Sequence, residues 1–207
     1  MSRDYQMEID DMERTGDTSN LVHRIVRCIA PTIAGRKPAT LMNISNENGG
    51  GGLLDLWNYS KSDLFAGSEI DYYELKKTDR NTIVIFFNRD RLIRLLEKRS
   101  VKKFLSDCGY ESDSLDHALG VLKQKYVTGC PPEIGIFLGI PLKDVKGFMG
   151  LNSLRNTKCG MWQVYGNSRS SEERMNEYRR AKDIVTRRLI SGENPANIIR
   201  DSGVRFF

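Results

Sequence analysis

The sequence predicts one α+β domain in which helices cover a small, mostly antiparallel sheet. Three observations predict it. Thr82 to Phe87 (TIVIFF) is a near-continuous β-branched and aromatic run, the mark of a buried strand. Ile70 to Lys77 alternates apolar residues and precedes that run across the turn cluster Thr78-Asp79-Arg80-Asn81, so the two segments form an antiparallel hairpin. Apolar residues on both flanks recur at three- and four-residue steps, as in helices that bury one face. The chain has 207 residues, 39% hydrophobic and 29% charged, a size and balance that suit one soluble domain.

Each element follows from local chemistry. Ser19 or Asn20 caps a first helix from Leu21, whose apolar face carries Leu21, Val22, Ile25, Val26, Ile29 and Ile33; Pro31 kinks or ends it and Gly35 stops it. Ala39 to Ile44 is a short strand. Asn46 to Gly52 (NENGGGG) is a flexible loop, because no Lys-Ser/Thr follows the glycines to make a phosphate-binding loop. After the hairpin, Asn88 or Asp90 caps a helix that turns Leu92, Ile93, Leu95 and Leu96 inward. A second helical stretch carries Val101, Phe104 and Leu105. Ser112 or Asp113 caps a third, with Leu115, Ala118, Leu119, Leu122 and Tyr126 on its apolar side. Pro131-Pro132-Glu133 opens a short helix that Gly139 ends, and Pro141 to Met149 forms the next. Gly160 to Tyr165 reads as a last strand. Ser170 and Glu173 make a capping box for a long helix through Ile190, and Asn194-Pro195 caps a final short one.

Net charge is +5, unevenly spread: Met1 to Asn20 carries six acids against two arginines, leaving about +9 on the rest. Residues 1–19 therefore read as a disordered acidic tail, and residues 20–207 as the domain. No window approaches 18 uninterrupted apolar residues, which excludes a membrane-spanning helix, and no membrane partner is expected. The polar N-terminus lacks the apolar core of a secretion signal, so the expected location is the cytoplasm.

The cysteines Cys28, Cys108, Cys130 and Cys159 form no C-x-x-C pair, and there are only two histidines, His23 and His117. Zinc-ribbon, thioredoxin-type and His-triad chemistries are thus disfavoured, no metal site is assigned, and the cofactor is unknown. Cys130 is the candidate reactive thiol, because it directly precedes a proline-started helix whose dipole would favour the thiolate.

Two binding readings remain. Residues 74–103 hold ten Lys/Arg and four acids. The junction Asn88-Arg89-Asp90-Arg91 would gather backbone N–H groups and arginines at a helix start. Asn88, Arg89, Arg91 and Arg94 are the candidate ligand-binding residues for an anionic ligand or acidic protein; the plain alternative is a solvated helix face. Glu133 to Val145 has the turn chemistry of a helix-turn-helix, with Ile134, Leu138, Ile140 and Val145 between the helices, Gly135 at the close approach and Gly139 at the turn. Lys143, Asp144 and Lys146 would then point outward, with Lys143 and Lys146 as DNA-binding candidates. Against nucleic acid, the second helix (PLKDVKGFMG) lacks base-reading side chains near its start, and Phe148 and Met149 look buried.

Three stretches carry a family resemblance: Cys28 to Ala39 (with Pro31, Gly35, Lys37 and Pro38), Pro132 to Val145 (with Glu133-Ile134-Gly135 and Gly139), and Trp162 to Asn167. In order and wording they are similar to the uncharacterised bacterial family known as domain of unknown function 3793, over about residues 20–190. The resemblance implies a bacterial, anaerobe-associated source and no activity. Pro132 stands where many members carry a histidine. The leading expectation is a cytoplasmic, non-catalytic binding or accessory protein that engages an anion. The alternatives are a DNA-binding regulator using residues 133–149 and a thiol- or metal-dependent enzyme using Cys130.

Overall fold

The structure, a computed structural model, describes residues 18–46, 52–111 and 114–201. In chain order its elements are α1 (Thr18–Ile33), β1 (Ala39–Ser45), α2 (Leu53–Phe65), β2 (Ile70–Lys77), β3 (Asn81–Asn88), α3 (Arg89–Leu96), α4 (Arg99–Asp107), α5 (Leu115–Lys125), α6 (Ile134–Phe137), α7 (Leu142–Phe148), β4 (Asn156–Cys159), β5 (Gln163–Tyr165), α8 (Arg169–Ile190) and α9 (Pro195–Arg200). The acidic stretch read as a tail lies outside the described residues up to Asp17, and so does most of the glycine-rich loop. The proposed caps Ser112 and Asp113 lie outside them too; Ser114 caps α5 instead.

β1, β3 and β2 form one antiparallel sheet in that order, with β3 central. The two faces of β3 serve different cores. Val84 and Phe86 pack with Ile44 and Ile70 against α1, α2, α8 and α9, around the fully buried Trp57. The Trp57 ring meets Tyr72 and Phe86 edge-on at 5.2 and 5.5 Å, a favoured aromatic geometry. Ile85 and Phe87 face the other way, with Ala39 and Leu75, onto α3 to α7, where Leu92, Phe104, Leu119, Leu122 and Phe137 fill the second core. The strict alternation of β3 is what divides the apolar residues between the two layers.

Three local readings need correction. The last strand is shorter than Gly160–Tyr165 and belongs to a two-stranded hairpin, β4 with β5, because Gly160 to Trp162 form its turn. The long helix opens at Ser168, whose side chain makes no cap bond; Ser170 and Glu173 lie inside α8, and Arg169 pairs with Glu173 one turn on. Phe148 is 61% exposed rather than buried. No helix among the described residues is long and apolar enough to cross a membrane.

Candidate functional site

The end of α1 is built by a glycine. Gly35 adopts φ +64°, its N–H bonds the Thr32 carbonyl, and the Arg36 N–H reaches back to Pro31. This closed helix end reverses the chain and sets Arg36, Lys37 and Pro38 in the turn before β1. Gly139 does the same for α6: φ is +77°, its N–H bonds Ile136, and the Ile140 N–H bonds Gly135. The two turns face each other. A Cβ on Gly139 would lie 2.6 Å from Pro38 Cδ, and one on Gly35 2.6 Å from Arg91 Nη2.

Between them lies a cleft of about 420 Å³, lined by the Gly35–Pro38 turn, Arg91, Arg94 and Leu95 of α3, Lys98, Gly139, and Arg174, Glu177 and Tyr178 of α8. Six of these side chains are cationic and one is acidic. Lys37, Arg91, Arg94 and Lys98 make no ion pair among the described residues. The Arg174 guanidinium donates to the Gly139 carbonyl at 2.5 Å, which ties α8 to the turn. Lys37 Nζ lies over the Tyr178 ring, 5.6 Å from its centroid. Burial holds the Lys37 amine below the usual lysine range, with Cys28 acting in the opposite sense.

Tyr178 is 4% exposed, and its hydroxyl is buried without a hydrogen-bond partner among the described residues. The oxygen ends beside Gly139, 2.9 Å from where a Cβ would stand. Burial pushes the phenol up to about 12, so it remains a proton donor at neutral pH. Leaving such a donor unmet costs roughly 1–3 kcal/mol. Together, uncompensated cations and an unmet donor define a site short of negative charge and of acceptors. Such a site can hold an oxyanion.

The four residues read from the junction separate. Asn88 Oδ1 caps α3 by accepting from the Arg91 N–H, and its amide donates to Glu69. Arg89 turns to the opposite side and bridges Asp71 (3.3 Å) and Asp116 (2.9 Å). Only Arg91 and Arg94 enter the cleft. Sequence reasoning did not bring Lys37, Lys98, Arg174 and Tyr178 into a site, and it read Gly35 and Gly139 as helix ends without facing them across a cleft. The Gly35-Arg36-Lys37-Pro38 turn was the available signal; Arg174 and Tyr178 share a helix face at i, i+4 but give no sign of which turn they face.

The helix-turn-helix candidates are also redirected. Asp144 is buried and fully engaged. Its Oδ1 accepts from Lys143 Nζ (2.6 Å) and the Tyr165 N–H (2.8 Å), and its Oδ2 from Ser171 Oγ (2.6 Å) and Trp162 Nε1 (3.0 Å). Burial alone would raise this carboxyl, but the four donors outweigh it and hold it below the usual carboxylate range. Lys143 therefore points inward, also meeting the Tyr165 carbonyl and Ser171. Lys146 lies over the Phe104 ring at 5.6 Å. The turn itself is as expected, with Gly135 letting Val145 come close, but it packs α7 against the β4–β5 hairpin.

Cys130 and Cys159 are exposed and line one apolar groove of about 660 Å³ with Ile134, Leu138, Val145, Met161 and Trp162. The Cys130 thiol lies 3.1 Å from the Tyr126 hydroxyl. The helix after it starts only at Ile134 and is four residues long, too short for the dipole invoked for the thiolate. Cys28 packs against the first core and Cys108 against the second. No cluster of three or more His, Cys, Asp or Glu among the described residues could hold a metal ion.

The class is thus a single α+β domain with a cationic cleft between two helix-ending turns. A family model described as "Protein of unknown function (DUF3793)" matches residues 25–199, and the chain belongs to that family. No curated protein and no solved structure matches it. The three stretches that carry the likeness meet at one side chain: Tyr178 touches Lys37 of the first, Gly139 of the second, and the Trp162 ring of the third, 6.2 Å away.

Proposed function

We propose that the protein is a non-catalytic, cytoplasmic binding or accessory protein, and that its cleft receives an anionic ligand. The observation that carries this reading is the convergence of Lys37, Arg91, Arg94 and Lys98 on one concavity without acidic partners among the described residues. Like charges repel across a shared cleft, and an anion removes that repulsion while accepting hydrogen bonds from the guanidinium groups. The expected site is therefore Arg91 and Arg94 of the junction, joined by Lys37, Lys98 and Arg174, with Asn88 and Arg89 serving the fold.

Charge reversal tests this. Arg91→Glu with Arg94→Glu should abolish phosphate binding in calorimetry at low salt, and Arg89→Glu should leave it nearly intact. Equal losses from both variants would refute the cleft as the site. The DNA-regulator reading finds less support, since Lys143 is committed to Asp144.

A further inference from the structure

Resting on the reading above, we infer that the cleft is built for a ligand carrying two linked phosphate groups, a diphosphate, rather than for a carboxylate or a single phosphate. The inner end gathers donors from three separate elements. The Tyr178 hydroxyl lies beside Gly139, Lys37 stands over the Tyr178 ring, and Arg91 closes in against Gly35. A planar carboxylate offers two oxygens in one plane, a poorer match for donors that come from three separate elements. A tetrahedral oxyanion with three terminal oxygens is the better match.

The outer end sets the length. Arg91 and Arg94 are three residues apart on α3, about 4.5 Å along the axis, and Lys98 follows at the start of α4. Three cations in succession along this wall suit a ligand with more than one phosphate group. The charge count agrees: Lys37, Arg91, Arg94 and Lys98 line the cleft without an ion pair among the described residues, so a singly charged ligand would leave most of these four unmatched. The buried Tyr178 hydroxyl is the independent sign. A bare surface strip of cations has no use for a neutral donor held out of water, and an inner phosphate oxygen gives that donor its acceptor.

The test is titration calorimetry of the full chain at fixed ionic strength with inorganic pyrophosphate, inorganic phosphate, citrate and a single-stranded oligonucleotide. Pyrophosphate should bind at least about tenfold more tightly than phosphate or citrate. Tyr178→Phe should weaken pyrophosphate about three- to tenfold while leaving the weak citrate affinity unchanged. Thermal melting of Tyr178→Phe, expected to be no less stable than the parent, keeps a folding defect from passing as lost binding. Citrate equal to pyrophosphate, with no effect of Tyr178→Phe, overturns the diphosphate inference and leaves the anion site standing. A folded protein that binds none of the small anions overturns the site itself. An oligonucleotide bound more tightly than pyrophosphate at the same salt overturns the small-ligand reading in favour of nucleic acid.

Discussion

The Arg91 guanidinium lies against the bare Cα of Gly35, so close that an added methyl would come within 2.6 Å of Nη2. The pair brings the end of α1 against the first turn of α3, and both residues line the cleft. Gly35→Ala puts a side chain on a residue at φ +64°, at a cost of about 1–2 kcal/mol, and pushes Arg91 aside. We expect a lower urea midpoint and weaker pyrophosphate binding together. Unchanged affinity in the folded variant would mean that Arg91 does not hold ligand.

Gly139→Ala should cost more. Its φ of +77° is equally unfavourable, and its Cβ would meet the Pro38 ring, which cannot swing away as an arginine can. Strain and overpacking add to about 3 kcal/mol. Urea denaturation of the two alanine variants side by side gives the comparison, and a Gly139→Ala loss no larger than that of Gly35→Ala would contradict the packing described.

Asp144 makes stability depend on pH in a defined direction. Its folded carboxyl titrates below the unfolded value of about 3.9. Its contribution is therefore complete above that value and is lost as pH falls through the lower, folded one. Asp144→Ala should cost about 3–5 kcal/mol at pH 7, because Lys143 loses its buried partner. Asp144→Asn should flatten the acid limb of the stability profile, as read by denaturant titration from pH 7 downward. An unaltered acid limb would assign that limb to other carboxylates.

Lys143→Ala should lower stability by about 1–3 kcal/mol and leave the salt slope of any DNA binding unaltered. Lys146→Ala should do neither, beyond losing its contact with Phe104. A slope reduced by about one for either variant would revive the recognition-helix reading.

The thiols should label in two classes. Cys130 and Cys159 are exposed, whereas Cys28 and Cys108 are half-buried. Burial pushes both inner thiols up, and Glu133 adds to the effect at Cys108. Iodoacetamide followed by peptide mass spectrometry should find the outer pair modified first at neutral pH. Early modification of Cys28 would show that α1 opens readily at its C-terminal half.

Much of the frame was legible because it rests on periodicity and end signals. The β2–β3 hairpin, β1, the Asn88 and Asn194 caps and the Gly139 turn all follow from residues next to one another in the chain. α2 is not legible in the same way, since Ser60, Lys61, Ser62 and Asp63 interrupt the apolar pattern between its buried residues Leu53, Leu54 and Trp57 and Leu64 and Phe65. The cleft was half legible. Arg91 and Arg94 stand out by charge density, but Arg174 and Tyr178 arrive from eighty or more residues away, and only Asp71 and Asp116, distant in the chain, distinguish Arg89 from Arg91. Lys143 shows the same limit, because the carboxylate next to it in sequence proved to be the hub of a buried network.

The sharing of β3 between the two cores has a thermodynamic consequence. Neither layer of helices keeps a wall once that strand is displaced, and a slip of one residue would exchange the contents of both interiors. The halves therefore cannot melt in sequence as independent lobes. Heat or denaturant should carry the whole domain through one cooperative step, with the fluorescence of Trp57 and Trp162 and the helical circular dichroism tracing the same curve.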